Sequence, residues 1–356
     1  MRSRGKDLIV DGPLGHGAIL RPTDKGVVFD GVTLSRQPDT RPEPPPSRWA
    51  GLIGEYGWDH NTLYILERNG KLHALIEWFF LDPLEEVSPD VFKFPEKTGL
   101  YLGEQLRFTR DARGRATQVV AANVTFPRRK IDGDDGSTFR IEPTRPVADL
   151  RPEALAAKPP TEPGSFRSPD LVDLTTLDPA IKLDIRYATT NNFLGTPFYG
   201  SARAFLQRPA AMALLAAHRE LRNDGFGLLI HDAYRPWHVT KMFWDATPPS
   251  GRGFVADPSK GSKHNRGCAV DLTLYDLATG QPVEMVGGYD EFSTRSSPRY
   301  PGGTSLHRWR RDRLRRAMEA QGFAVQEVEW WHFDFKDWSK YPILNLTFEQ
   351  LTRPPD

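Results

Sequence analysis

Between residues 49 and 143 apolar and polar side chains alternate with a period of two, the mark of half-buried strands. Thr62-Leu63-Tyr64-Ile65-Leu66-Glu67 and Leu72-His73-Ala74-Leu75-Ile76 flank Asn69-Gly70, which supplies the two left-handed residues that a tight hairpin needs. A second pair of runs, Leu106 to Thr109 and Val119 to Phe126, flanks Asp111-Ala112-Arg113-Gly114. Short strands punctuated by turns predict a small antiparallel sheet or barrel over 48–143. Ahead of it, residues 1–47 read as an extended, irregular lead with one hairpin around 26–34. The lead ends in the stiff run Arg41-Pro42-Glu43-Pro44-Pro45-Pro46.

Past residue 143 the pattern changes. Pro146, Pro152, Pro159, Pro160 and Pro163 mark 144–168 as a second linker by composition. Residues 169–356 then mix helical and strand periodicity, which predicts an α+β domain. Pro209 opens a helix through Met212, Leu215, Ala216 and Leu221. The apolar run 227–234 reads as a buried strand that empties into Arg235-Pro236-Trp237. A short strand over 268–274 follows, then a helix through Leu306, Trp309, Arg313, Ala317 and Met318, and a last strand over 326–334.

Charge excludes some classes of partner. The chain has 47 Lys and Arg against 46 Asp and Glu, a balance that suggests neither nucleic acid nor a membrane surface. The Arg-rich run at 307–313 is interleaved with apolar residues at helical spacing, as on a solvated helix face. The single cysteine, Cys268, rules out an intrachain disulfide. No apolar window is long enough for a signal peptide or a membrane span. The expectation is a cytoplasmic protein, or a periplasmic one if the sequence is a trimmed mature form; the oligomeric state stays open.

The chemistry gathers in Ser262-Lys263-His264-Asn265-Arg266-Gly267-Cys268-Ala269-Val270-Asp271 and in Glu329-Trp330-Trp331-His332. Two imidazoles, two carboxylates and a turn at Gly267 offer three ligands for a catalytic zinc, with a carboxylate left to move a proton. One geometric demand follows. Residues three apart face opposite ways in a regular strand, so Glu329 and His332 can share a site only if the strand bends or bulges. Arg235, leaving a buried strand ahead of Pro236, suits an oxyanion or, equally, a salt bridge.

Ser262-x-His264-x-x-Gly267-x-Ala269-x-Asp271, Glu329-x-Trp331-His332 and Asp232-Ala233-Tyr234-Arg235-Pro236 together resemble the zinc D-Ala-D-Ala dipeptidases of the vancomycin-resistance type. These are related to D,D-carboxypeptidases and to the hedgehog-like fold. The likeness runs from about Asp170 to the end of the chain and leaves the first 150 residues as an addition. The resemblance implies a central antiparallel sheet with flanking helices. It implies one Zn²⁺ held by His264, Asp271 and His332, with Glu329 as general base and then acid. Arg235 would steady the tetrahedral intermediate. Ser262, Asp290 and Tyr187 would receive the free amino end of a small dipeptide substrate. Two other readings remain open: a D,D-carboxypeptidase acting on longer wall stems, and a non-catalytic wall-binding module with a structural zinc.

Overall fold

The structure, a computed structural model, describes residues 2–9, 19–24, 26–29, 32–34, 39–76, 80–99, 101–131, 133 and 137–352. It divides into two compact units, 1–128 and 129–356.

In the first unit the lead is more regular than its composition suggests. Strands Arg2–Arg4, Asp7–Ile9, Ile19–Thr23, Gly26–Phe29 and Val32–Leu34 pair in succession, each antiparallel to the next. The expected hairpin is the last of these pairs; its turn residues Asp30 and Gly31 lie outside the described residues. Two further antiparallel meanders follow, one of four strands (Gly54–Trp58, Asn61–Arg68, Lys71–Ile76, Phe80–Pro83) and one of five (Glu85–Ser88, Val91–Lys93, Gln105–Arg110, Ala116–Ala121, Val124–Pro127). Asn69 and Gly70 do turn the predicted hairpin, at φ 51° and 76°. The run from Val119 to Phe126, expected as one strand, breaks at Ala122 (φ 48°) and Asn123 (φ 62°) into two strands of a second hairpin. Both meanders bury the same apolar core, including Tyr56, Leu63, Ile65, Phe92, Leu106 and Phe126, and they meet where Tyr56 bridges Arg128.

The first unit closes at Arg128, not at residue 143, because the chain beyond it is committed elsewhere. Ile141 N–H donates to the Phe193 carbonyl (2.9 Å) and Thr144 N–H to that of Ala246 (2.8 Å). Nor is 144–168 a free linker. Helix α1 (Val147–Ala156) buries Val147, Leu150 and Ala154 along one face. Pro146 sits at its N-cap, where a missing N–H costs nothing. Further on, Glu162 pairs with the Arg266 guanidinium and accepts the Ile343 N–H (2.8 Å).

The second unit is built on a five-stranded sheet of strands β1 (Lys182–Leu183), β2 (Phe226–Asp232), β3 (Ala269–Asp276), β4 (Phe323–Gln326) and β5 (Glu329–Phe335), in the order β1-β2-β3-β5-β4. Every pair is antiparallel except β1 with β2, so the sheet departs from the expected all-antiparallel form at one edge. Every residue of β2 is buried, consistent with its unbroken apolar run. Helices α2 (Arg208–Arg222), α3 (Trp237–Ala246) and α4 (Ser305–Ala320) complete the unit, with α2 and α4 packed on each other and on the sheet. Helix α3 was not anticipated; it starts directly after Pro236, which sits at its N-cap. No helix among the described residues is long and apolar enough to cross a membrane.

Candidate active site

His264 opens a single 3₁₀ turn, His264–Arg266, that ends on Gly267 in the left-handed conformation (φ 65°). A Cβ at Gly267 would lie 2.4 Å from the Leu171 side chain, so this reversal tolerates only glycine. Buried Gln207 fixes the turn, its side-chain amide donating to the Arg266 carbonyl (2.9 Å) and its backbone N–H to that of Gly267 (2.8 Å). The chain then enters β3, where Asp271 stands directly across from His332 on β5.

Three atoms converge as a result. His264 Nε2 lies 3.2 Å from His332 Nδ1 and 3.3 Å from Asp271 Oδ1, and His332 Nδ1 lies 3.0 Å from Asp271 Oδ1. All three residues are buried, and they are the one cluster of metal-ligating side chains among the described residues. Their outer contacts aim them. His264 Nδ1 is 2.6 Å from the Ala233 carbonyl, an acceptor, so Nδ1 carries the proton and Nε2 presents a lone pair. By the same reasoning Asp334 Oδ1, 3.0 Å from His332 Nε2, turns the Nδ1 lone pair inward. Asp271 Oδ1 is buried without a hydrogen bond, while Oδ2 accepts from the Tyr289 hydroxyl (3.0 Å). Two lone pairs and an orphaned carboxylate oxygen at this spacing suit a cation between them. Tetrahedral ligands about 2.0–2.1 Å from a metal stand roughly 3.3 Å apart, so the donor set fits one. Burial opposes charge on His332, yet Asp271 and Asp334 raise its pKa well above the ordinary histidine value, the mark of a place that favours positive charge.

The demand for a bend in the last strand is met. Between β4 and β5 the register runs Val325 to Phe333 and then jumps to Gln326 with Glu329. This irregularity brings Glu329 Oε2 to 3.5 Å from His332 Nδ1. Burial pushes the Glu329 carboxyl up to about 7, with His332 pulling the other way. Arg235 is buried with its charge met by Asp232, whose Oδ2 accepts from Nε (2.8 Å) and lies 2.7 Å from Nη2. The guanidinium sits against the rings of Tyr187 and Phe243 and reaches within 3.7 Å of Asp271. It is therefore both a salt bridge and a wall of the site.

All eight residues singled out from the sequence line one pocket of about 250 Å³: His264, Asp271, His332, Glu329, Arg235, Ser262, Asp290 and Tyr187. Tyr187 donates to Asp290 Oδ2 (2.7 Å), and Ser262 Oγ accepts the His264 N–H (3.2 Å). Asp290 is in the left-handed region (φ 54°), and burial raises its pKa well above the usual carboxylate value. Sequence reasoning missed the supporting groups. Asp334, itself held by Lys263 (2.6 Å), stands two residues from His332 on the same strand face, a spacing that could have revealed it. Asp232 heads the Asp232-Ala233-Tyr234-Arg235-Pro236 motif three residues before Arg235, and Tyr289 directly precedes Asp290; those positions were their signal.

Lone pairs converging on one point, with a carboxyl and a guanidinium on the rim of the same pocket, suit the hydrolysis of an amide bond. Residues 167–350 match the D-ala-D-ala dipeptidase family, and the chain belongs to it. It is similar to the D-alanyl-D-alanine dipeptidase of Escherichia coli, 35% identical over 185 residues, covering 52% of this chain and 94% of that protein. Similar enzymes of the same name from Enterococcus faecium (34% identical; 46% of this chain, 89% of the relative) and Streptomyces coelicolor (35%; 47% and 92%) align over comparable stretches.

Proposed function

We propose that the protein is a zinc-dependent dipeptidase that hydrolyses D-alanyl-D-alanine to two molecules of D-alanine. His264, Asp271 and His332 would hold the zinc, which when bound polarises a carbonyl and makes water acidic enough to attack near neutral pH. Glu329 takes the proton from the attacking water and delivers it to the departing amine. Arg235 faces the oxyanion that develops on the carbonyl, its position secured by Asp232. Asp290, with Tyr187 and Ser262, receives the substrate's ammonium. A carboxylate at that end favours free dipeptides, because a longer wall stem has an amide there in place of an ammonium.

The observation that carries this reading is the 3.0–3.3 Å triangle of His264, Asp271 and His332 with Glu329 beside it. Its test is metal analysis of the purified protein together with D-alanine release from D-Ala-D-Ala and from a stem pentapeptide. The reading expects one zinc per chain and turnover of the dipeptide alone. Preference for the pentapeptide would make the protein a carboxypeptidase, and zinc without turnover of either would leave a binding module.

A further inference from the structure

The family match begins at residue 167, yet the segment just upstream is built into the pocket wall. Phe139 packs on Phe292 (centroids 4.9 Å apart), and Phe292 in turn packs on Phe254 (4.6 Å) and Phe193 (5.5 Å). Phe193 stands edge-on to Phe243 at 5.2 Å, and these four partners of the chain, unlike Phe139 itself, all line the pocket. The backbone around Phe139 is tied to the same wall. Arg140 Nη2 donates to the Thr190 carbonyl (3.0 Å), Ile141 N–H to that of Phe193 (2.9 Å) and the Thr144 hydroxyl to that of Asp245 (2.7 Å). Helix α1 packs against α3, and its Arg151 binds the Pro197 carbonyl and lies over the Phe198 ring.

We infer that residues 137–157 are a strap that sets the apolar wall of the substrate pocket, with Phe139 as a positioning residue acting through Phe292. The inference rests on the dipeptidase reading for the identity of the substrate, whose methyl groups this wall would meet. A group that shapes the wall without touching the reacting atoms acts first on substrate binding, and so on KM more than on kcat.

The experiment is steady-state kinetics on D-Ala-D-Ala with the full-length Phe139→Ala, Phe139→Leu and Arg140→Ala proteins, alongside hydrogen exchange over 190–193 and 237–246. Phe139→Ala should raise KM about tenfold with kcat within about twofold, and should speed exchange in both segments. Phe139→Leu, which keeps most of the apolar packing, should restore KM to within about threefold of the parent protein. Arg140→Ala should move KM in the same direction by less, and it carries the test if Phe139→Ala does not fold. An unchanged KM, or a fall in kcat alone, overturns the inference. If the parent protein does not hydrolyse the dipeptide, the dipeptidase reading falls instead. The exchange data then judge the strap separately, unchanged protection in the variants counting against it.

Discussion

The two units bury charge in opposite ways. In the first, Glu55, Glu67 and Asp82 are buried on three different strands, scattered through a core that is otherwise aromatic and aliphatic. Glu67 is used locally, accepting the Gly70 N–H (2.7 Å) at the hairpin turn, and burial raises the pKa of Asp82 above the usual carboxylate value. In the second unit Asp232, Arg235, His264, Asp271 and His332 are buried together, each within reach of an opposite or hydrogen-bonding partner. Buried charge is costly unless it is paired. Gathered on one point with an orphaned oxygen, it marks the candidate site.

Four substitutions or conditions sharpen or break that contrast. The largest effect belongs to Glu329→Gln, which should lower kcat on D-Ala-D-Ala by roughly 10³–10⁴ with zinc content unchanged. Retained activity would put the base elsewhere. Arg235→Ala should follow, with a loss of roughly 10²–10³ in kcat. It also leaves Asp232 buried without its cation, so Arg235→Lys, which keeps the charge, separates the fold from the chemistry by thermal melting beside the rate. Smaller still, Asp334→Asn should weaken zinc binding by about 10–100-fold, read by competition with a chromophoric chelator. Zinc affinity equal to the parent's would mean that His332 needs no help in presenting Nδ1.

Much of this site was legible because its parts are close in sequence or carried by a motif. His264, Gly267 and Asp271 form one turn and one strand start, and the family resemblance tied them to Glu329 and His332. Even the irregularity beside Glu329 followed from strand period alone, as a requirement if both side chains were to meet. What failed was reading by composition. Prolines at 144–168 look like a linker, but Pro146 caps a helix, and Glu162 finds Arg266 across 104 residues of chain. Contacts over such separations leave no local trace. Tyr289 steadies Asp271 from a loop with no period to read, although it stands next to Asp290. Glycine and charge in the first 47 residues likewise hid a five-stranded meander of very short strands.

The remaining prediction tests the first unit, where no site is proposed. Tyr56 is fully buried, donating to the Leu52 carbonyl (2.6 Å) and accepting from Arg128 Nη1 (2.9 Å). Burial pushes its pKa up to about 12, with Arg128 opposing. An unfolded tyrosine ionises near pH 10. The folded unit therefore holds the neutral phenol, a contribution to stability that is complete below about pH 10 and is lost as the pH climbs towards 12. Two pKa units correspond to about 2–3 kcal/mol at most. Urea titrations of the parent chain and of Tyr56→Phe at pH 9 and pH 12 read that difference, since other groups that titrate in this range are common to both. The parent's stability advantage at pH 9 should shrink by pH 12. An advantage that grew instead would mean that Arg128 stabilises a phenolate here.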